Sequence, residues 1–142
     1  MRAWRNFIES VNTMTPAMEN DLVRYGLTMG DYEVLVRLSE ADAQRMRMCD
    51  LATALQLSPS GLTRRLDGLV STGLVERVAS PADRRVMFAA LTETGQAKLA
   101  EAAPDHVASV RNRFFKGLTR DQVRALGDIF ETVRANLTRC PE

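Results

Sequence analysis

Ser58-Pro59-Ser60-Gly61-Leu62-Thr63-Arg64-Arg65-Leu66-Asp67-Gly68-Leu69-Val70-Ser71-Thr72-Gly73 is the stretch that decides the fold. It carries its own start and stop. Serine at the N-cap with proline at the first helical position opens a helix, and a glycine just past the end closes one. At about 100° per residue, Leu62, Leu66, Leu69 and Val70 share an arc of roughly 100°. Arg64 points almost opposite to it, and Ser60, Gly68 and Ser71 flank it. One face is apolar; the other is small, hydroxyl-rich and cationic. A helix that presses its N-terminal half against base edges needs such a surface. Ser60, Gly61 and Thr63 keep it low, and Arg64 can fork onto a guanine or a phosphate; Ser58 and Arg65 complete the helix's DNA-binding candidates. The amides at its N-terminus can also hold a phosphate.

Upstream, the spacing predicts a short helix from about Met48 to Leu55, with Leu51, Ala52 and Leu55 inward. Its start lacks a good cap, because Arg47 or Met48 stands where serine or threonine serves better. The tight turn Gln56-Leu57-Ser58 then joins two short helices, as in a helix-turn-helix. Downstream, Leu74–Val78 and Val86–Leu91 read as a two-stranded ribbon. Proline and three charges in its connecting loop predict projection into solvent. The arginine pair Arg84-Arg85 at that tip suits a wing entering a narrow minor groove, with Arg77 on the preceding strand. Asp67 and Asp83 would repel phosphates, so they are assigned to orient arginines. Asp67 is expected to reach across to Arg84 or Arg85. An arginine pair on a helix is, by itself, most often a solvated face. The succession of capped short helix, small residues, ribbon and arginine tip is what points to double-stranded DNA.

The flanks are helical. Residues 2–25 place Trp4, Phe7, Ile8, Val11, Met14, Met18, Leu22 and Val23 at helical spacing. Pro16 is expected to kink or restart that helix, with Thr15 as the new cap. Gly26 closes it, and Thr28 caps a second helix with Tyr32, Leu35, Val36 and Leu38 inward. Thr92 caps a fifth helix that runs through Pro104 to about Phe115. Thr119-Arg120-Asp121-Gln122 is a capping box that opens a sixth, with the stripe Val123, Leu126, Ile129, Phe130, Val133 and Leu137. The fold class is mainly α with a small β ribbon (α+β): a winged helix-turn-helix with N- and C-terminal dimerisation helices. A single domain is expected over 1–142, with a DNA-binding lobe at about 30–91 and dimerisation helices at about 2–25 and 93–138.

Composition bounds the function classes. A chain of 142 residues, 45% hydrophobic and 26% charged, suits one globular domain. The longest apolar run, Val86 to Leu91, is far short of the roughly 20 residues of a membrane helix. The N-terminus lacks the apolar centre of a secretory signal, so a cytoplasmic protein with no membrane partner is expected. Cys49 and Cys140 then read as two reduced thiols, with Cys49 buried or half-buried and Cys140 inert near a frayed end. One histidine and two distant cysteines build no recognisable zinc site. No nucleophile elbow, P-loop or dinucleotide turn appears, so no catalytic residue, metal or cofactor is assigned and no enzyme is expected. Net charge is only +1, yet residues 44–90 hold seven arginines against four acids. The middle of the chain is locally basic.

The chain resembles the MarR family of bacterial transcription regulators. The carrying segments are Gly26-Leu27-Thr28 with Asp31–Leu35, Asp50-Leu51-Ala52, Leu57–Asp67, Gly73–Arg77, Asp83-Arg84-Arg85 and Leu91-Thr92-Glu93-Thr94-Gly95. The wing Asp83-Arg84-Arg85 followed by Leu91-Thr92 and Gly95 is the most specific part. The resemblance implies a homodimer on pseudo-palindromic DNA, usually a repressor that a small, often aromatic ligand releases. Its recognition helix carries over to Ser58–Leu69 and its wing to Ala79–Val86. Trp4, Tyr32, Met46 and His106 are candidates to line the ligand pocket. The apolar terminal helices fit this independently, because an isologous dimer would bury them. Two alternatives stand beside it: a redox-sensing regulator switched by Cys49, and a winged-helix protein-interaction module that does not read DNA.

Overall fold

In the computed structural model, residues 1–138 are described. They form six helices and a small sheet: α1 (Arg2–Val23), α2 (Met29–Glu40), β1 (Arg45–Arg47), α3 (Met48–Ala54), α4 (Pro59–Ser71), β2 (Val75–Ala79), β3 (Met87–Leu91), α5 (Glu93–Val110) and α6 (Arg120–Thr138). A single 3-10 turn, Asp42–Gln44, precedes β1, and a π turn, Arg111–Phe115, follows α5. Cys140 lies outside the described residues.

The core gathers around α2. Tyr32, Val34, Leu35 and Leu38 are buried there, and Leu22 and Leu27, Leu51, Leu62, Leu66 and Leu69, Val75, Ala89 and Leu91, and Leu99 and Ala102 pack around them. Burying α2 on several sides explains why Val34 joins the expected stripe. The ends of α4 follow the sequence signals. Ser58 Oγ accepts the Gly61 amide at 3.1 Å, with Pro59 in the first turn. At the other end Gly73 adopts φ +71°, and the amides of Gly73 and Leu74 return to Val70 and Leu69. That is the paired bonding of a left-handed helix stop. The turn between α3 and α4 uses the same device with Gln56 at φ +54°.

Three expectations are corrected. Pro16 neither breaks nor restarts the first helix, which is continuous from Arg2 to Val23. Asn12, Thr15 and Pro16 are exposed, so the carbonyl that loses its bond to proline faces water. The ribbon is a three-stranded antiparallel sheet in the order β1-β3-β2. Its third strand is only three residues long and pairs Arg45, Met46 and Arg47 with Ala90, Ala89 and Phe88. Cys49 is exposed, because the inward positions of the two-turn α3 begin at Leu51.

Thr92 locks the lobe to α5. Its hydroxyl donates to the Gly73 carbonyl at 2.6 Å and accepts the Gly95 amide at 3.0 Å. Gly95 lies so close to the Leu74 backbone that a Cβ there would sit 2.0 Å from the Leu74 carbonyl oxygen. The Leu91-Thr92-x-x-Gly95 motif thus joins the end of α4 to the start of α5.

Candidate nucleic-acid interface

The outer face of α4 is bare. Ser58, Ser60, Thr63 and Arg64 are exposed, and Gly61 is half-covered by its own capping turn. Thr63 folds its hydroxyl back onto the Pro59 carbonyl at 2.9 Å, and the hydroxyls of Ser58 and Ser60 lie 3.2 Å apart. The polar atoms at this end are held against the helix, so the surface stays low. Among the described residues Arg64 has no ion-pair or hydrogen-bond partner, which leaves its guanidinium available. Arg65 does not share that face. Its guanidinium donates to Thr28 Oγ1 at 3.4 Å and lies 4.0 Å from Asp31, both at the start of α2.

The wing is organised by its own backbone. Ser80 donates to the Val86 carbonyl at 2.8 Å and Val86 to that of Asp83 at 2.9 Å. Asp83 accepts the Arg85 amide at 2.9 Å, so it shapes the turn and does not hold a guanidinium. Arg84 and Arg85 are exposed, and among the described residues their side chains have no recorded partner. Asp67 does not reach them. It pairs with Arg77 at 2.8 Å, and the same Arg77 nitrogen donates to the Thr63 carbonyl at 3.2 Å. The reason is strand alternation: Arg77 shares a face of β2 with the buried Val75, the face that packs on α4, whereas Arg84 and Arg85 lie beyond the strand's end. Arg77, expected among the wing's DNA contacts, is turned back as a brace between wing and recognition helix.

The four candidate ligand residues do not form one pocket. Tyr32 on α2 stacks on His106 of α5, with ring centroids 4.4 Å apart. Met46 packs on the core from β1. Trp4 is 62% exposed and belongs to a separate cluster with Phe7 and Phe130. It lies about 27 Å up α1 from Leu22, which packs in the core beside Tyr32.

Beside the Tyr32–His106 stack lies a network that sequence reasoning missed. Asp21 of α1 pairs with Arg113 in the π turn and accepts the Ser109 hydroxyl at 2.7 Å. Those hydrogen bonds, Arg113 first, hold the Asp21 carboxyl below its usual range. Asp105 accepts from both Arg24 and Tyr25, and its hydrogen bond pushes the Tyr25 hydroxyl up. Among the described residues the buried Nδ1 of His106 has no hydrogen-bond partner. Burial lowers its pKa, partly opposed by Asp21. No local spacing could have revealed these pairs, because their partners lie 80 to 92 positions apart.

The terminal helices leave apolar surface open. Trp4, Ile129, Val133 and Leu137 are 62%, 56%, 45% and 81% exposed. An open groove of about 920 Å³ runs between α1, the π turn and α6, lined in part by Met14, Phe114, Leu118 and Leu126. Among the described residues no helix is long and apolar enough to cross a membrane.

Comparison with known proteins agrees with this geometry. A family model described as the MarR family matches residues 27–87. The HTH-type transcriptional repressor YetL of Bacillus subtilis (strain 168) is 30% identical over 121 residues, spanning 83% of this chain and 72% of that protein. The crystal structure of AbsC, a MarR family transcriptional regulator from Streptomyces coelicolor, is 41% identical with a TM-score of 0.91, covering 95% of this chain and 91% of that one. Sco3205, a MarR family regulator from the same organism solved in complex with DNA, is 34% identical with a TM-score of 0.92, covering 96% of this chain and 86% of its own. A winged lobe carrying a bare recognition helix and an arginine-tipped ribbon, together with 41% identity to one member over 95% of the chain, leads to one conclusion: the chain belongs to the MarR family of transcriptional regulators.

Proposed function

We propose that the protein is a homodimeric, sequence-specific DNA-binding repressor in the cytoplasm, with no reaction of its own. The observation that carries this is the outer face of α4: small capped residues, then Arg64, with no partner among the described residues, beside a wing tip where the side chains of Arg84 and Arg85 likewise have none recorded. In this assignment α4 enters the major groove, where Arg64 reads a base edge. Ser58, Ser60, Gly61 and Thr63 permit the approach. Arg84 and Arg85 enter the adjacent minor groove. Arg77 and Asp67 hold the wing at its angle to α4, and Asp83 shapes its tip. Burial of Trp4, Phe130, Ile129 and Leu137 against a second copy would set two recognition helices about 34–36 Å apart, one turn of DNA. The DNA-bound structure of Sco3205 and the repressor YetL support this assignment.

Release by a small aromatic ligand is assigned to the Tyr32–His106 neighbourhood. There an aromatic pair joins α2 of the lobe to α5, beside a bare ring nitrogen that could receive a ligand's hydroxyl. A set of small aromatic acids and phenols, added to the protein–DNA complex, tests this by release of the duplex.

The deciding experiment is fluorescence anisotropy on the DNA immediately upstream of the protein's own gene. A scrambled duplex of equal length serves as control, at two salt concentrations. The expected result is a preference of about 10³-fold or more with a steep salt slope. Salt-dependent binding without preference would place the operator elsewhere and call for genome-wide selection. Absence of binding at low salt would overturn DNA recognition in favour of a protein-interaction module.

A further inference from the structure

Resting on the DNA-binding assignment above, we propose that Arg65 is a positioning residue that clips the recognition helix to the first turn of α2, and that Gly30 is the notch that receives it. Arg65 follows Arg64 by one position, a rotation of about 100° that carries its side chain off the exposed face of α4. Its side chain is 32% exposed, and its guanidinium lies against the N-terminal turn of α2. There it donates to Thr28 Oγ1 at 3.4 Å, with Asp31 Oδ1 at 4.0 Å. Thr28 and Asp31 are themselves reciprocally bonded as the capping box of α2. A cation at a helix N-terminus opposes the helix dipole. Asp31 supplies the charge that compensates for it.

Gly30 makes the seat. A Cβ at that position would fall 1.6 Å from Arg65 Nη1 and 2.2 Å from its Cζ. Glycine inside a helix weakens it relative to alanine, so local propensity does not account for Gly30, whereas close approach does. The same small notch is lined by Glu33, Leu55 and Leu57. The notch therefore touches α2, α4 and the turn before α4.

The position gives the clip leverage. In this one turn of α2 the Met29 amide donates to Glu19 of α1 at 2.9 Å, and Tyr32 stacks on His106 of α5. Through Arg65, the angle of α4 is tied to the helices outside the winged lobe. A residue that sets this angle alters discrimination between sequences. It does not alter the number of phosphates neutralised.

Gly30→Ala and Arg65→Ala separate a clip from a DNA contact. Alanine at position 30 evicts the guanidinium while keeping its charge and favouring the helix, so the variant folds. Each single variant is expected to lose about three- to tenfold in preference for the operator over a scrambled duplex. Non-specific affinity and the slope of log K against log salt stay at wild-type values. The double variant behaves like either single one. Hydrogen exchange of the amides at 28–32 is expected to quicken in both single variants, a readout that needs no DNA. A salt slope reduced by about one in Arg65→Ala, with Gly30→Ala binding as well as or better than wild type, would make Arg65 a phosphate contact and overturn the proposal. Additive losses in the double variant would overturn it too, as would unchanged exchange at 28–32. If the wild-type protein shows no sequence preference, the DNA-recognition assignment fails, and the exchange result still decides the clip.

Discussion

Gly95→Ala tests the joint between the reading lobe and α5. The added methyl would sit 2.0 Å from the Leu74 carbonyl oxygen, 3.0 Å from its carbon and 2.8 Å from Leu91 Cδ1. Leu91 could rotate aside, but the obstacle at Leu74 is backbone. That backbone follows the α4 stop, where Leu74 is bonded to Leu69 and Gly73 is held by Thr92. Reaching a tolerable contact requires the first turn of α5 to retreat by more than 1 Å or so, breaking the Thr92 lock. Overpacking of this kind costs about 1–3 kcal/mol, here at the upper end because no side chain can absorb it. Alanine's better helix propensity returns up to about 1 kcal/mol. The net expectation is a loss of about 2 kcal/mol, or a Tm lowered by about 4–8 °C for a chain of this size. Thermal unfolding followed by circular dichroism at one fixed protein concentration measures it. Gly68→Ala is the matched control: a Cβ there meets nothing within 4 Å, so propensity alone acts and Tm should rise. A Gly95→Ala Tm equal to or above wild type would refute the reasoning, because the lock would then be loose enough to accept a side chain.

Three further predictions concern the site. Arg64→Ala should cost about 1–3 kcal/mol on the operator and little on scrambled DNA, whereas Arg84→Ala should weaken both and lower the salt slope by about one; anisotropy titrations on the two duplexes separate them, and equal patterns would contradict the division. Asp67→Ala should change stability by less than about 1 kcal/mol, since its pair with Arg77 is exposed, yet weaken operator binding by freeing the wing; tighter binding would mean that Asp67 acts only as a charge repelling phosphate. His106 is held neutral by burial, so its folded pKa lies below the unfolded value of about 6.5. The unfolded chain then takes up the proton first. Stability contributed by the neutral ring is present above about pH 6.5 and is lost as pH falls towards the folded pKa. Urea midpoints at pH 7.5 and 5.5 should drop more for wild type than for His106→Gln, and identical drops would exclude the ring.

What could be read from the chain was what adjacent residues enforce. Ser58-Pro59 and Gly73 fix the ends of α4 by local hydrogen bonding and φ preference, and the leucines fix its inward face, so α4 and its buried side are both legible in the sequence. β1 was not, because three residues carry no periodicity and are defined only by pairing with Phe88–Ala90. Asp67 pairs with Arg77, not with the expected Arg84 or Arg85. Strand alternation from Val75 to Arg77 already held the correction, since a residue two places from a core position faces the same way. Pro16 shows the opposite limit: its helix-breaking tendency is real, but a solvent-facing carbonyl can lose its partner to water at little cost. The four ligand candidates do not gather in one place within the chain, because residue type alone carries no distance. Trp4 and Tyr32 sit at opposite ends of a long helix's reach.

The sheet order has a consequence for how such a protein can change. β1 and β3 lie side by side, so residues 48–86 leave and return at one hydrogen-bonded root. Every group assigned to DNA, from Ser58 to Arg85, is strung on that closed excursion, while α1, α5 and α6 lie outside it. Exchanging the excursion between relatives at its root would move the groups assigned to DNA and leave α1, α5 and α6 in place, and it would carry operator choice intact only where α2 keeps the Gly30 seat for Arg65. The same topology makes β1–β3 the least local pairing of the sheet, so closing it costs more chain entropy than closing the β2–β3 hairpin.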